Sequence, residues 1–242
     1  MKGIMAGQAR QLLVAIDGTG GQMYGRTDTG SGGWDPIDFR RSFVRWIHDH
    51  SAIPADNRVY KPGPDLLGAE CSGIAKEAID FVKQKAAAQA GDAVILNLVG
   101  YSRGGYLAMN VARFFKDNTS VVVNYLGLFD AVGRTDFGMG PSSDFIPSNV
   151  RVAYHAWRDI KAGSRVGFGH SGTIAEAGVI YQHKEFWATH AAMGGMPWSG
   201  DEPNSIFKKD AARALTKESD TQASREVWAW MSAAARKHGI LA

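Results

Sequence analysis

Between Val94 and Phe115 the chain passes from an apolar run, Val94-Ile95-Leu96-Asn97-Leu98-Val99, through Gly100-Tyr101-Ser102-Arg103-Gly104-Gly105, into Leu107, Val111, Phe114 and Phe115 at three- and four-residue spacing. A short apolar run bounded by turn residues predicts a buried strand, and the 3.6-residue period after it predicts a helix. No residues remain for a loop, so the strand must reverse into the helix within the glycine-rich turn. Such a reversal strains the backbone of its central residue and brings the residues two before and two after so close that a Cβ would clash. Gly100 and Gly104 meet that demand around Ser102. Ser102 is therefore predicted at the end of the sheet, with the N–H of Arg103 at a helix N-terminus, where partial positive charge can stabilise an oxyanion. This is the arrangement of an activated serine nucleophile. A plain strand-to-helix turn is the alternative.

The rest of the chain has to supply the sheet. Leu12 to Ile16 predicts a buried strand that ends in Asp17-Gly18-Thr19-Gly20-Gly21. Gly18 and Thr19 are candidates for a second oxyanion donor, with Asp17 orienting the loop. A structural turn and a phosphate cradle are the alternatives, the latter without the lysine of a P-loop or the spacing of a dinucleotide fingerprint. Arg58-Val59-Tyr60 predicts a short strand. Val121 to Phe129 predicts a longer one, ending at Asp130. Two buried strands joined by a helix form a βαβ unit and hence a parallel sheet. The predicted fold class is α/β, a mostly parallel central sheet with helices on both faces. Further strands are expected at Val150 to His155 and Val179 to Tyr181. Helices are expected at Pro36 to His50, around Ile74 to Ala90, at Asn204 to Leu215 and at Asp220 to His238.

In this topology Ser102 and Asp130 both fall at carboxyl ends of strands, the edge where open α/β sheets carry their chemistry. Asp130 is then the candidate acid of a triad, or else a turn aspartate that ends its strand. Where the nucleophile sits on such a turn, the order along the chain is serine, acid, histidine. His190 fits the last place, His155 is the alternative base, and His170 and His183 are less well placed. The stretch 133–149 mixes Gly, Ser and Pro with Phe137, Met139, Phe145 and Ile146, as a lid or a plain crossover loop would. Met193, Met196 and Trp198 are candidates for an acyl pocket or for core packing.

Composition narrows the function classes. At 242 residues the chain suits one hydrophobic core, and a single domain over residues 1–242 is expected. A net charge of +3 with no basic run argues against nucleic acid as a partner. The single cysteine, Cys71, rules out an internal disulfide and a cysteine zinc cluster, which suits folding in a reducing compartment. It is expected at a helix start or buried. His48 and His50 lie two apart near a helix end and so do not share a face to hold a metal. No cofactor or metal is expected. No apolar stretch reaches the roughly 18 residues that span a bilayer, and no export signal is evident. The expected location is cytoplasmic as synthesised, compatible with export by a machine that reads no N-terminal peptide.

With Ser102, Asp130 and His190 set side by side, the chain resembles the alpha/beta-hydrolase domain of type VI secretion lipase effectors and their uncharacterised relatives in bacteria and fungi. The likeness rests on Asp17-Gly18-Thr19-Gly20, on Gly91-Asp92 before a strand ending in Gly100-Tyr101-Ser102-Arg103-Gly104, and on Gly127-Leu128-Phe129-Asp130-Ala131-Val132. It extends to His155-Ala156 and to His190 shortly before Gly194-Gly195. Tyr101 stands where that family has Phe, and Ala131 where it has Thr. The resemblance implies a serine esterase, lipase or phospholipase whose substrate is a small-molecule or lipid ester. It further implies transient contact with a membrane surface and, for an effector, an immunity or secretion partner. An acyltransferase or amide hydrolase with the same triad, or a catalytically silent binding module on the same fold, are the alternatives.

Overall fold

The computed structural model describes residues 9–19, 42–65, 68–88, 93–119, 121–133, 145–162, 164, 169–197 and 215–242. In chain order these form β1 (Arg10–Ile16), α1 (Phe43–Asp49), β2 (Arg58–Lys61), α2 (Cys71–Ala87), β3 (Val94–Tyr101), α3 (Arg103–Asn118), β4 (Val122–Phe129) and β5 (Phe145–Ile146). Then follow β6 (Val150–Arg158), β7 (Ile174–Ala175), β8 (Ile180–Phe186), α4 (His190–Met193) and α5 (Lys217–Lys237). A six-stranded sheet has the order β2-β1-β3-β4-β6-β8, and each neighbouring pair in it is parallel. β5 and β7 pair separately.

Alternation along the strands divides the core in two, because successive side chains point to opposite faces. Leu12, Val14 and Ile16 of β1, with Leu96, Leu98, Leu126 and Leu128 of its neighbours, pack against Ile74, Ala78 and Val82 of α2 and Leu107, Val111 and Phe115 of α3. On the other face Leu13, Ala15, Val99, Tyr101, Tyr125 and Phe129 meet Val44 and Ile47 of α1, Met193 of α4, and Val227 and Met231 of α5. Helices therefore cover both faces, as parallel strands buried on two sides require. The strand order reverses between β1 and β3. At such a switch point the connections leave in opposite directions and open a crevice beyond the carboxyl ends. Asp17 follows β1 and Ser102 follows β3, so the two loops of interest lie on either side of that switch point.

Several elements differ in extent from the sequence expectation. β6 continues past His155 to Arg158, and β8 runs on to Phe186, because the two strands stay in register from Val152–Ile180 to Arg158–Phe186. α1 begins at Phe43, where the Ser42 side chain caps it by accepting from Arg45 N–H. His190 opens a four-residue helix, which Thr189 caps by accepting from Ala192 N–H. Cys71 is the first residue of α2 and is buried. The expected loop at 24–35, the helical stretches 36–41 and 204–214, Gly91-Asp92, Trp198 and the lid candidate at 134–144 lie outside the described residues.

Candidate active site

Ser102 is the only residue between β3 and α3, and its backbone has φ 54° and ψ −126°. That region is unfavourable for a residue with a Cβ and is held only where the surroundings over-determine it. Here they do. A Cβ on Gly100 would overlap the backbone of Gly104, and one on Gly104 would overlap the carbonyl oxygens of Ile16 and Asp17. The Ser102 N–H donates to Phe129 O at 3.0 Å, and Ser102 O accepts from Val132 N at 3.0 Å and Gly105 N at 3.0 Å. The serine turn is thereby bonded on both sides to the segment that carries Asp130.

Asp130 ends β4 with φ 44°, again positive for a residue with a side chain. Its N–H donates to Ala156 O at 2.6 Å, which locks the turn to β6. The carboxylate is fully buried and receives His190 Nδ1–H on Oδ2 at 2.6 Å. His190 Nε2 lies 2.8 Å from Ser102 Oγ. Because an ionised carboxylate only accepts, the imidazole proton sits on Nδ1 and Nε2 is left to accept from the serine hydroxyl. Burial works against the charge on Asp130, but the His170 and His190 rings and the Arg158 guanidinium outweigh it and hold the carboxyl well below the usual carboxylate range. The structure thus brings Ser102, His190 and Asp130 into one hydrogen-bonded line from positions 28 and 60 residues apart.

The loop after β1 sits against the serine. A Cβ on Gly18 would come within 2.8 Å of the Tyr101 ring and 3.0 Å of Ser102 Cβ, so only glycine permits this approach. Asp17 is buried beneath the loop and accepts from Gly18 N–H at 3.2 Å, Ser42 Oγ at 2.5 Å and Tyr60 Oη at 2.8 Å. Burial raises its pKa to about 6 against the pull of these three donors. Arg103 is the first residue of α3, so its N–H lies at that helix N-terminus beside Ser102. Among the described residues no group of three or more His, Cys, Asp and Glu side chains is arranged to hold a metal ion.

His155 is placed differently from His190. It is fully buried, its Nε2 accepts from Ala131 N–H at 3.1 Å, and its Nδ1–H donates to Gly172 O at 3.2 Å. Burial pushes its pKa down to about 4, so it is neutral near pH 7 and supports the Asp130-Ala131 turn from behind. His170 comes close to the site, with Nε2 3.3 Å from Asp130 Oδ1, an electrostatic contact outside hydrogen-bond geometry. Met193 is buried in the core against α5 rather than lining an opening, and Met196 packs on the same cluster.

Four contributors escaped the sequence reasoning. Arg158 donates from Nη1 to Asp130 Oδ2 at 2.5 Å, and Tyr101 donates to His190 O at 3.0 Å while stacking on the His190 ring. Ser164 Oγ accepts from His190 N–H at 3.0 Å, and Asp220 of α5 accepts from both the N–H and the hydroxyl of Thr189. Only Arg158 had a readable signal. Had the strand through His155-Ala156 been extended by one alternation, Arg158 would have fallen beside the end of β4.

A parallel sheet covered on both faces, with a serine on a strained strand-to-helix turn at its carboxyl edge, is an alpha/beta-hydrolase-like architecture. No protein-family model and no curated protein matches the chain. Among solved structures it is similar to an uncharacterized protein from Pseudomonas aeruginosa, at 13% identity over 78% of this chain and 42% of that one, with a TM-score of 0.46. It is also similar to the Tle1 effector bound to the VgrG spike of the type 6 secretion system, at 15% identity over 78% of this chain and 52% of that one, with a TM-score of 0.42. A cutinase-like protein from Cryptococcus sp. is 12% identical over 96% of this chain and 97% of that one, with a TM-score of 0.35. The chain therefore spans about half the length of the first two. Among the described residues, no helix is long and apolar enough to cross a membrane.

Proposed function

We propose that this chain is a serine hydrolase of carboxylic esters that works through an acyl-enzyme. The observation that carries the reading is the hydrogen-bonded line from Ser102 Oγ to His190 Nε2 at 2.8 Å and from His190 Nδ1 to Asp130 Oδ2 at 2.6 Å, on a turn strained at the serine. His190 takes the hydroxyl proton as Ser102 Oγ attacks the ester carbonyl carbon, and Asp130 stabilises the imidazolium that forms. The tetrahedral oxyanion is held by the N–H of Arg103 and by the loop after β1. In that loop the Gly18 N–H is turned to Asp17, so Thr19 N–H is the proposed second donor. Collapse breaks the carbon–oxygen bond, and His190 passes its proton to the departing alcohol. Water, deprotonated by His190, then cleaves the acyl-serine and restores the free hydroxyl. Lipid esters are the proposed substrate class, on the motif resemblance of the chain, and they imply work at a membrane or micelle surface.

A fluorophosphonate probe tests the chemistry, since it phosphonylates activated serine nucleophiles and spares ordinary hydroxyls. Wild type is expected to label at Ser102, and Ser102→Ala to lose labelling and ester hydrolysis by about 10⁴-fold or more. An unlabelled wild type, or equal labelling of Ser102→Ala, overturns the proposal. Turnover of short against long acyl esters then separates an esterase from a lipase.

A further inference from the structure

We infer that Arg158 is a positioning residue that fixes Asp130 and offsets its charge, so that His190 remains a neutral base to lower pH than an Asp–His pair alone would allow. The inference rests on the hydrolase reading above for its kinetic consequence and on the structure for its geometry. Arg158 is fully buried, which is rare for a guanidinium unless every donor is used. Its Nη1 donates to the same carboxylate oxygen, Oδ2, that receives His190, and its backbone N–H lies 3.3 Å from Oδ1. Its Nε donates to Ser164 O at 2.8 Å, and Nη2 reaches Gly169 O at 3.4 Å. Ser164 in turn accepts from the His190 N–H. One side chain therefore links the acid, the segment behind it and the backbone of the histidine.

The electrostatic part follows from what else faces His190. From β3 Tyr101 stacks on its ring, with centroids 5.0 Å apart, and from α5 Asp220 is turned onto Thr189. His155 of β6 is bonded through both ring nitrogens to the backbone. His170, ahead of β7, stands beside the far oxygen of Asp130. Set beside these described groups, Arg158 is the one with a permanent positive charge. An opposite charge within a few ångströms favours the charged form of a titrating group, so a bare Asp130 would hold a proton on His190 and silence it in mild acid. The guanidinium cancels much of that field while it leaves the hydrogen bond that selects the Nδ1–H tautomer.

The test is the rate of fluorophosphonate labelling against pH for wild type, Arg158→Gln and Arg158→Lys, with folding checked by thermal melts. Gln keeps a donor and loses the charge, whereas Lys keeps the charge and loses the fork. The acid limb of Arg158→Gln is expected to move up by about one to two pH units, and that of Arg158→Lys to stay within a few tenths of wild type. A limb that stays in place for Arg158→Gln, with labelling lowered equally at every pH, marks a purely structural residue and overturns the inference. In a His170→Gln background the same shift is expected, and its disappearance assigns the effect to His170 instead. A second readout is the ¹⁵N titration of the His190 ring in wild type. Half-protonation at or below the ordinary histidine value of about 6.5 supports the charge offset, and a value above it overturns the inference, whether or not the variants fold. Failure of wild type to label at all counts against the hydrolase reading, and the ¹⁵N titration then judges Arg158 by itself.

Discussion

Asp17 and His155 are both fully buried, and burial moves their protonation so that their effects on stability oppose each other. Asp17 is raised from the ordinary value of 3.8 to about 6. As pH rises through that window the unfolded chain releases the proton and the folded one keeps it, so stability falls by about 3 kcal/mol. His155 is lowered from 6.5 to about 4. Its contribution is complete above 6.5 and is lost by about 3 kcal/mol as pH falls to 4, because only the unfolded chain takes up the proton. The two offset each other between pH 4 and 6. Asp130, held low, adds stability that disappears only below the ordinary carboxylate range. Asp17→Asn keeps an oxygen for the Gly18 N–H and removes one side of the balance. Its denaturant midpoint is expected to climb between pH 4 and 6.5 while that of wild type stays nearly level; matching curves would contradict the assignment. His155 was legible in the sequence as a possible base, but its two backbone bonds were not, since Ala131 and Gly172 reach it only through the packed turn.

At the scale of elements, the turn from β3 into α3 explains why glycine stands at positions 100, 104 and 105. The crowding of Gly100 on Gly104 could be deduced from the sequence as a local steric demand. The contact of Gly104 with Ile16 O and Asp17 O could not, because β1 becomes the neighbour of β3 only in the sheet. Gly104→Ala is therefore expected to push α3 off the end of β1, with a loss of several kcal/mol and of labelling at Ser102. Gly73, in the first turn of α2, has nothing within 4 Å of an added Cβ. Gly73→Ala is expected to raise stability by about 0.5–1 kcal/mol through helix propensity and a less flexible unfolded chain. Denaturant unfolding of the two variants side by side checks that position in the fold, rather than loss of glycine as such, sets the sign.

For the whole molecule, the proposed reacting groups come from opposite layers. Ser102 caps α3 on the face packed with α2, while His190 opens α4 on the face packed with α5. Asp220 of α5 joins the second layer to the site by taking both donors of Thr189, at 2.6 and 2.8 Å, one residue before His190. Asp220→Ala leaves two buried donors without this acceptor, each worth about 1–3 kcal/mol. It is expected to lower both the melting temperature and the labelling rate at Ser102 by loosening Thr189, the residue before His190; an unchanged labelling rate would show that α4 is held without it. The strands of the six-stranded sheet, the helices over 103–118 and 217–237, the serine turn and the order of the three proposed reacting residues were determined by the sequence itself. They depend on local period, glycine placement and strand ends, which short stretches specify. The buried Arg158 on Asp130, the two backbone bonds of His155, and the Ser42 and Tyr60 hydroxyls on Asp17 were decided by the tertiary structure alone. Each depends on strand register and on layers that bring together residues far apart in the chain, and charge acts through space rather than along the sequence.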